Sequence, residues 1–257
     1  MDLAILGSGN VAYSLTPAFH KAGHKIVGVW SRNEANASRL ALQVEAEPCK
    51  KIADIPNAEV YIICVTDDSI ASVAEILGKL SPSAIILHTA GSLPMDILKN
   101  TGCNYGVMYP MQTFSREKRI DMIDVPIFFE GNNSDTLEKI RNLAASISKR
   151  VKYMDSEKRA RLHLAAVFAC NFTNHCFTLA NQELKKCGEN FSTILPLVEE
   201  TIAKVRCMTP QAAQTGPAVR GDEKVLKKQE MLIDDELTRA IFQTMSKSIR
   251  KHNNDKL

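Results

Sequence analysis

A doubly wound, mostly parallel α/β sheet followed by an all-α region is the fold class predicted by this 257-residue chain. Two observations predict it. Over residues 1–154 short β-branched runs alternate with helical patterns, the mark of βαβ units around a parallel sheet. From 155 to 257 the strand-like runs stop and only helical segments follow, so a domain boundary is expected at 154/155.

Strands are expected at 2–6, 25–30, 59–65, 84–88, 104–109, 126–130 and 150–154. Helices are expected near 10–22, 33–44, 68–79 and 134–148, with Asp68 as the cap of the third. The runs Val60-Tyr61-Ile62-Ile63-Cys64-Val65 and Ala84-Ile85-Ile86-Leu87 are almost wholly apolar, as strands covered on both faces by helices must be. Right-handed crossovers then place ligands at the carboxyl ends of the strands. In the second region helices are expected over 156–186, 191–208 and 222–251, the last capped by Asp222. Ala165, Ala166, Ala169 and Cys170 let a neighbouring helix approach the first of these closely.

Bulk composition narrows the function. A hydrophobic content of 45% with 24% charged residues is that of a soluble globular chain. The net charge of +3 is small and its Lys and Arg residues are interspersed with Asp and Glu, which argues against nucleic acid as a partner. No run approaches the roughly 20 apolar residues of a membrane span. Seven cysteines without a CxxC pair suggest a reducing, cytoplasmic setting and no metal site.

Gly7, Gly9 and Ala12 fit the pattern GxGxxG/A between a strand and a helix, with a second strand at βαβ distance, which reads as a dinucleotide turn. Backbone amides of Ser8, Asn10 and Val11, at the start of the helix, would face the phosphates. Such a turn usually leads to an acidic residue after the second strand, to bind a ribose 2′-hydroxyl. This chain has Ser31 and Arg32, a hydroxyl and a guanidinium suited to a 2′-phosphate, so the expected cofactor is NADP(H). Thr66, after the strand at 59–65, is expected to line the cofactor's path.

Nicotinamide chemistry needs a proton donor or acceptor beside the reacting group. His88 ends a strand and is expected to point into the ligand crevice. The stretch Tyr109 to Ser115, with Gln112, is expected to form a wall. His163 and Asn171 lie in an alanine-rich helix where polar side chains need partners. Arg220, in the turn-rich TPQAAQTGPAVRGD, is a candidate anchor for an anionic substrate group.

The segments GSGNVA, HTAGSLP, YPMQTF, HLAAVFACNF and TGPAVRGD together resemble a family of short bacterial proteins, often labelled NADP oxidoreductases, with a Rossmann-like domain before a helical domain of unknown function. The architecture is more distantly similar to pyrroline-5-carboxylate reductase, ketopantoate reductase and the 6-phosphogluconate and β-hydroxyacid dehydrogenases. In those enzymes the helical domain closes over the nicotinamide and often builds a dimer. This resemblance implies a homodimer through the C-terminal helices and a small-molecule substrate. The dehydrogenases carry a catalytic lysine on the matching helix. Here that stretch has His163 and then Asn171, which makes His163 the expected replacement.

The function expected is an NADPH-dependent reductase of a small polar carbonyl or imine compound, acting in the cleft between the domains. His163 or His88 would supply the proton, Asn171 would orient the reacting group, and Gln112 and Arg220 would contact the substrate. The alternative is a non-catalytic NADP(H) sensor. Substrate identity and any deazaflavin partner stay open at this level.

Overall fold

The computed structural model describes residues 1–118 and 120–253. Eight strands are arranged in one sheet: β1 (Asp2–Leu6), β2 (Lys25–Trp30), β3 (Glu47–Cys49), β4 (Val60–Ile63), β5 (Ile85–His88), β6 (Asn104–Pro110), β7 (Ile127–Gly131) and β8 (Val151–Tyr153). Their order is β3-β2-β1-β4-β5-β6-β7-β8. All pairs are parallel except β6 with β7. The predicted fold class is the one observed. The strand order reverses at β1 and β4, so the switch point lies between the carboxyl ends of those strands, where the glycine turn begins.

Helices α1 (Asn10–Lys21), α2 (Glu34–Leu42), α3 (Ile70–Leu80) and α4 (Ser134–Ala145) cover the sheet. The alternation of a strand decides which helix each side chain meets. Leu3 and Ile5 of β1 pack with Ala12, Leu15, Phe19 and Leu40, and Ile140 of α4 joins the same cluster. Ala4 and Leu6 point the other way, into a cluster with Ile70, Val73 and Leu77 of α3. Two buried clusters on opposite faces explain why the strands read as continuous apolar runs.

Three details depart from the sequence reading. β3 is an eighth strand, missed because it is three residues long and contains Pro48; it lies at the sheet edge, where a missing N–H is tolerated. Asp68 does not cap α3. It lies inside a 3₁₀ turn, Asp67–Ser69, and neither that turn nor α3 has a side-chain cap. The single helix expected over 222–251 is two, Glu223–Met231 and Glu236–Asn253, because the Asp235 carboxylate accepts from the Thr238 amide at 2.7 Å and starts a new helix.

The chain packs as two compact units, Met1–Cys170 and Asn171–Leu257. The sequence reading set the division at 154/155. Packing groups α5 (Ser156–Ala166) with the sheet, through an ion pair from buried Arg159 Nη1 to Glu130 Oε2 at 2.7 Å. Arg159 Nη2 also donates to the Leu93 carbonyl at 2.7 Å, and Ser156 Oγ donates to Glu130 at 2.7 Å. A π-helical stretch, Val167–Phe172, leads from α5 to α6 (Thr173–Lys186).

The second unit continues with α7 (Leu195–Cys207), the one-turn helices α8 (Pro210–Ala213) and α9 (Pro217–Arg220), α10 (Glu223–Met231) and α11 (Glu236–Asn253). Asp222 caps α10 as expected, accepting from the Val225 amide at 3.3 Å. Among the described residues no helix is long and apolar enough to cross a membrane. Nor does any group of three His, Cys, Asp or Glu among them form a metal-holding cluster.

Candidate functional site

A cavity of about 560 Å³ opens at the switch point of the first unit. Its lining gathers Gly7, Ser8, Gly9, Asn10, Val11, Ser31, Arg32 and Thr66, and adds Gln112 and His163. Residues chosen from five separate stretches of sequence therefore share one concavity.

The two glycines are required for different reasons. Gly7 has φ +124°, and a Cβ there would stand 2.2 Å from the Cys64 carbonyl oxygen, so fold geometry alone demands glycine. Gly9 has an ordinary φ of −78°. A Cβ on it would meet no protein atom closer than 3.9 Å. Neither backbone strain nor protein packing accounts for Gly9, whereas the close approach of a pyrophosphate does. Gly9 also precedes the free amides of α1, a twelve-residue helix whose N-terminus favours anions. The donors and the open space fit a dinucleotide.

Past β2, Ser31 is buried and its Oγ lies 2.7 Å from Ser8 Oγ. Since one hydroxyl donates to the other, the pair keeps one proton to offer a ligand, and Ser31 also accepts from the Asn33 amide at 3.4 Å. Arg32 is exposed on the rim. Thr66 Oγ1 lies 3.1 Å from Ser69 Oγ. Gln112 Oε1 accepts from the Thr113 amide at 2.8 Å, which leaves the Gln112 amide hydrogens for the cavity.

His88 is not where the sequence reading put it. It is fully buried and absent from the cavity lining. Nδ1 accepts from the Ala90 amide at 3.1 Å, so Nε2 carries the hydrogen and faces the Pro94 carbonyl at 3.4 Å. Burial, with the Arg159 guanidinium nearby, drives its pKa down to about 4. A neutral imidazole with both nitrogens engaged pins the turn at 90–94 and has no proton to exchange with a ligand. The strand ends there, but its last side chain alternates into the core.

His163 is placed as a chemical group. Its Nδ1 lies 3.0 Å from the hydroxyl of Tyr109, and the rings meet edge to face with centroids 5.8 Å apart. Burial raises the Tyr109 pKa, ahead of a lowering effect of Arg159 and a raising effect of Cys170. Tyr109 thus keeps its proton, and its hydroxyl shares one hydrogen bond with His163 Nδ1, the donor being set by the protonation of the imidazole. Gly91 makes the pairing possible, because a Cβ there would lie 2.7 Å from both His163 Nδ1 and Tyr109 Cζ.

Two lining residues escaped the sequence reading. Tyr109 counted only as wall, although an aromatic hydroxyl at the carboxyl end of a strand was a usable signal. Arg116 sits in the irregular connection between β6 and β7, where nothing in the pattern foretold its position. Asn171 and Arg220 belong to the second unit, where both are exposed.

A switch-point cavity with a glycine turn, free helix amides and a tyrosine-histidine pair defines a dinucleotide-dependent oxidoreductase class. Residues 2–91 match the family described as NADP oxidoreductase, coenzyme F420-dependent, and residues 125–249 match a domain of unknown function, DUF2520. A candidate NADP oxidoreductase from Bacteroides fragilis is 40% identical, with a TM-score of 0.93, over 97% of this chain and 98% of that one. The chain belongs to that NADP oxidoreductase family. A Thermotoga maritima protein, 22% identical over 99% of each chain, has a TM-score of 0.71. A reductive aminase from Aspergillus terreus, solved with NADPH and ethyl levulinate, is 20% identical with a TM-score of 0.71, over 97% of this chain and 94% of that one. The last two show the shared fold. Comparison with curated proteins gives no match.

Proposed function

We propose that this NADP oxidoreductase is an NADPH-dependent reductase of a small polar compound bearing a C=O or C=N bond. The observation that carries the reading is the Tyr109–His163 pair inside the glycine-turn cavity. NADPH, when held there, would supply a hydride to the substrate carbon. The oxygen or nitrogen then needs a proton, which a protonated His163 imidazole would give up, becoming neutral, with Tyr109 holding the ring in place. Gly9 and the first amides of α1 hold the pyrophosphate, Ser31 and Arg32 the 2′-phosphate, and Thr66 the ribose side. Gln112 orients the polar group of the substrate. The imine arm of this substrate class draws support from the reductive aminase that shares the fold.

The helical unit carries a second part of the proposal. Leu197, Met231, Leu232 and Leu237 are 68%, 75%, 71% and 71% exposed. A second copy of this chain covering those side chains gives a homodimer through the C-terminal helices.

The test is oxidation of NADPH by a panel of small ketones, cyclic imines and ketone-amine pairs. His163→Ala is expected to lower kcat by about 10²-fold or more with the best substrate, while the affinity for NADPH holds. Undiminished turnover in that variant rejects the proton-donor role.

A further inference from the structure

The connection from β6 to β7 reaches back across the sheet to the glycine turn. Asn10 Nδ2 donates to the Phe114 carbonyl at 2.9 Å, and Arg116 Nη2 donates to the Ser8 carbonyl at 2.5 Å. The Arg116 guanidinium also lies over the Tyr13 ring, 4.8 Å from its centroid. Tyr13 in turn faces the first turn of α2, its hydroxyl 3.4 Å from the Asn36 carbonyl oxygen. Arg116 is therefore held beside the rim that carries Arg32.

Ser8 links the two arginines. Its carbonyl takes the Arg116 hydrogen, and its hydroxyl bonds Ser31, the residue before Arg32. Among the described residues neither Arg32 nor Arg116 pairs with a carboxylate, as is also true of Arg39, Arg161, Arg206, Arg220 and Arg239, but these two line one cavity. Two guanidiniums without a carboxylate partner on one cavity rim favour an anion, and a guanidinium stacked on an aromatic face keeps the in-plane N–H groups that Ser8 does not take available to phosphate oxygens.

We propose that Arg116 is a specificity residue for the 2′-phosphate of NADP(H), forming with Arg32 a two-arm clamp around the Ser8–Ser31 hydroxyl pair. The sequence signal after β2 is then half of the selectivity device. The other half arrives from a connection more than eighty residues further along the chain. The proposal rests on the dinucleotide reading of this cavity but not on any substrate.

Calorimetric titration of the full-length protein with NADPH and with NADH tests it. Arg116→Gln is expected to weaken NADPH about tenfold and NADH less than about twofold. Arg116→Lys, which keeps the charge and loses the fork, should fall between wild type and Arg116→Gln. Tyr13→Leu leaves the arginine in place but removes its stacking platform, and should show a smaller loss in the same direction. Equal weakening of both dinucleotides in Arg116→Gln would place the arginine on the pyrophosphate or in a structural role and overturn the proposal. Unchanged NADPH affinity in Arg116→Gln would overturn it as well. If Arg116→Gln fails to fold, Tyr13→Leu decides by the same two criteria. Wild-type protein that binds neither dinucleotide would reject the cavity's assignment itself, an outcome distinct from lost selectivity.

Discussion

The two units of this chain bury their apolar residues very differently. Both large apolar clusters lie wholly within the first unit. In the second, the buried side chains among the described residues are Ala218, Leu226, Ile233 and Asn253. Burial of apolar area is the main stabilising term in folding, so the first unit contains its own and the second leaves much of its apolar surface uncovered. A sheet with helices on both faces closes its core within one copy. Amphipathic helices with large aliphatic side chains left in water offer apolar area to another surface, and a second copy is the one proposed above.

That contrast can be broken or sharpened by three measurements. The largest effect belongs to the first unit. Arg159→Met leaves the Glu130 carboxylate with the Ser156 hydroxyl but no cation and frees the Leu93 carbonyl, and is expected to cost about 3–5 kcal/mol in urea unfolding. If the variant unfolds at the wild-type midpoint, α5 is not bound to the sheet by this ion pair.

Next comes the acid sensitivity of His88. Its pKa in the fold is about 4 against an ordinary 6.5. As pH falls below 6.5 the unfolded chain takes up a proton at this ring while the folded chain does not, until about pH 4. Stability from His88 is thus fully present above that window and lost progressively through it. The full loss is on the order of 3 kcal/mol. Urea midpoints across the window should fall in wild type and fall less steeply in His88→Gln. Parallel slopes would mean that other groups carry the acid loss.

The smallest unfolding effect is expected for Leu197→Ser in α7, within about 0.5 kcal/mol at a concentration where the wild type is monomeric, because the side chain is exposed in the single chain. Sedimentation of the same variant should shift toward monomer. Wild-type mass in that experiment would break the second-copy reading of the helical unit.

How much of the site could be read in advance depended on distance along the chain. Gly7, Gly9, Ser31 and Arg32 fall within one βαβ unit, where spacing translates directly into position, and all four line the cavity. His163 was a reasonable candidate as a polar residue in an apolar helix, but its partner Tyr109 is 54 residues away, and only the fold sets them 3.0 Å apart. His88 shows the opposite failure. A titratable side chain at a strand end looks functional, yet the two-residue alternation of the strand decides whether it faces the cavity or the core. Arg116 had no periodic context at all.

Hydrophobic periodicity and turn chemistry are local properties, and they were enough to determine the fold class, most of the strands and helices, and the glycine turn with the Ser31–Arg32 rim that line the cavity. Tertiary structure alone decided which side chains meet across the sheet: the tyrosine bonded to His163, the buried ion pair that groups α5 with the first unit, and the second arginine beside Ser8. The reason is that periodicity reports which face of an element is buried, whereas contact between distant elements depends on strand order and loop path, and no local pattern encodes either.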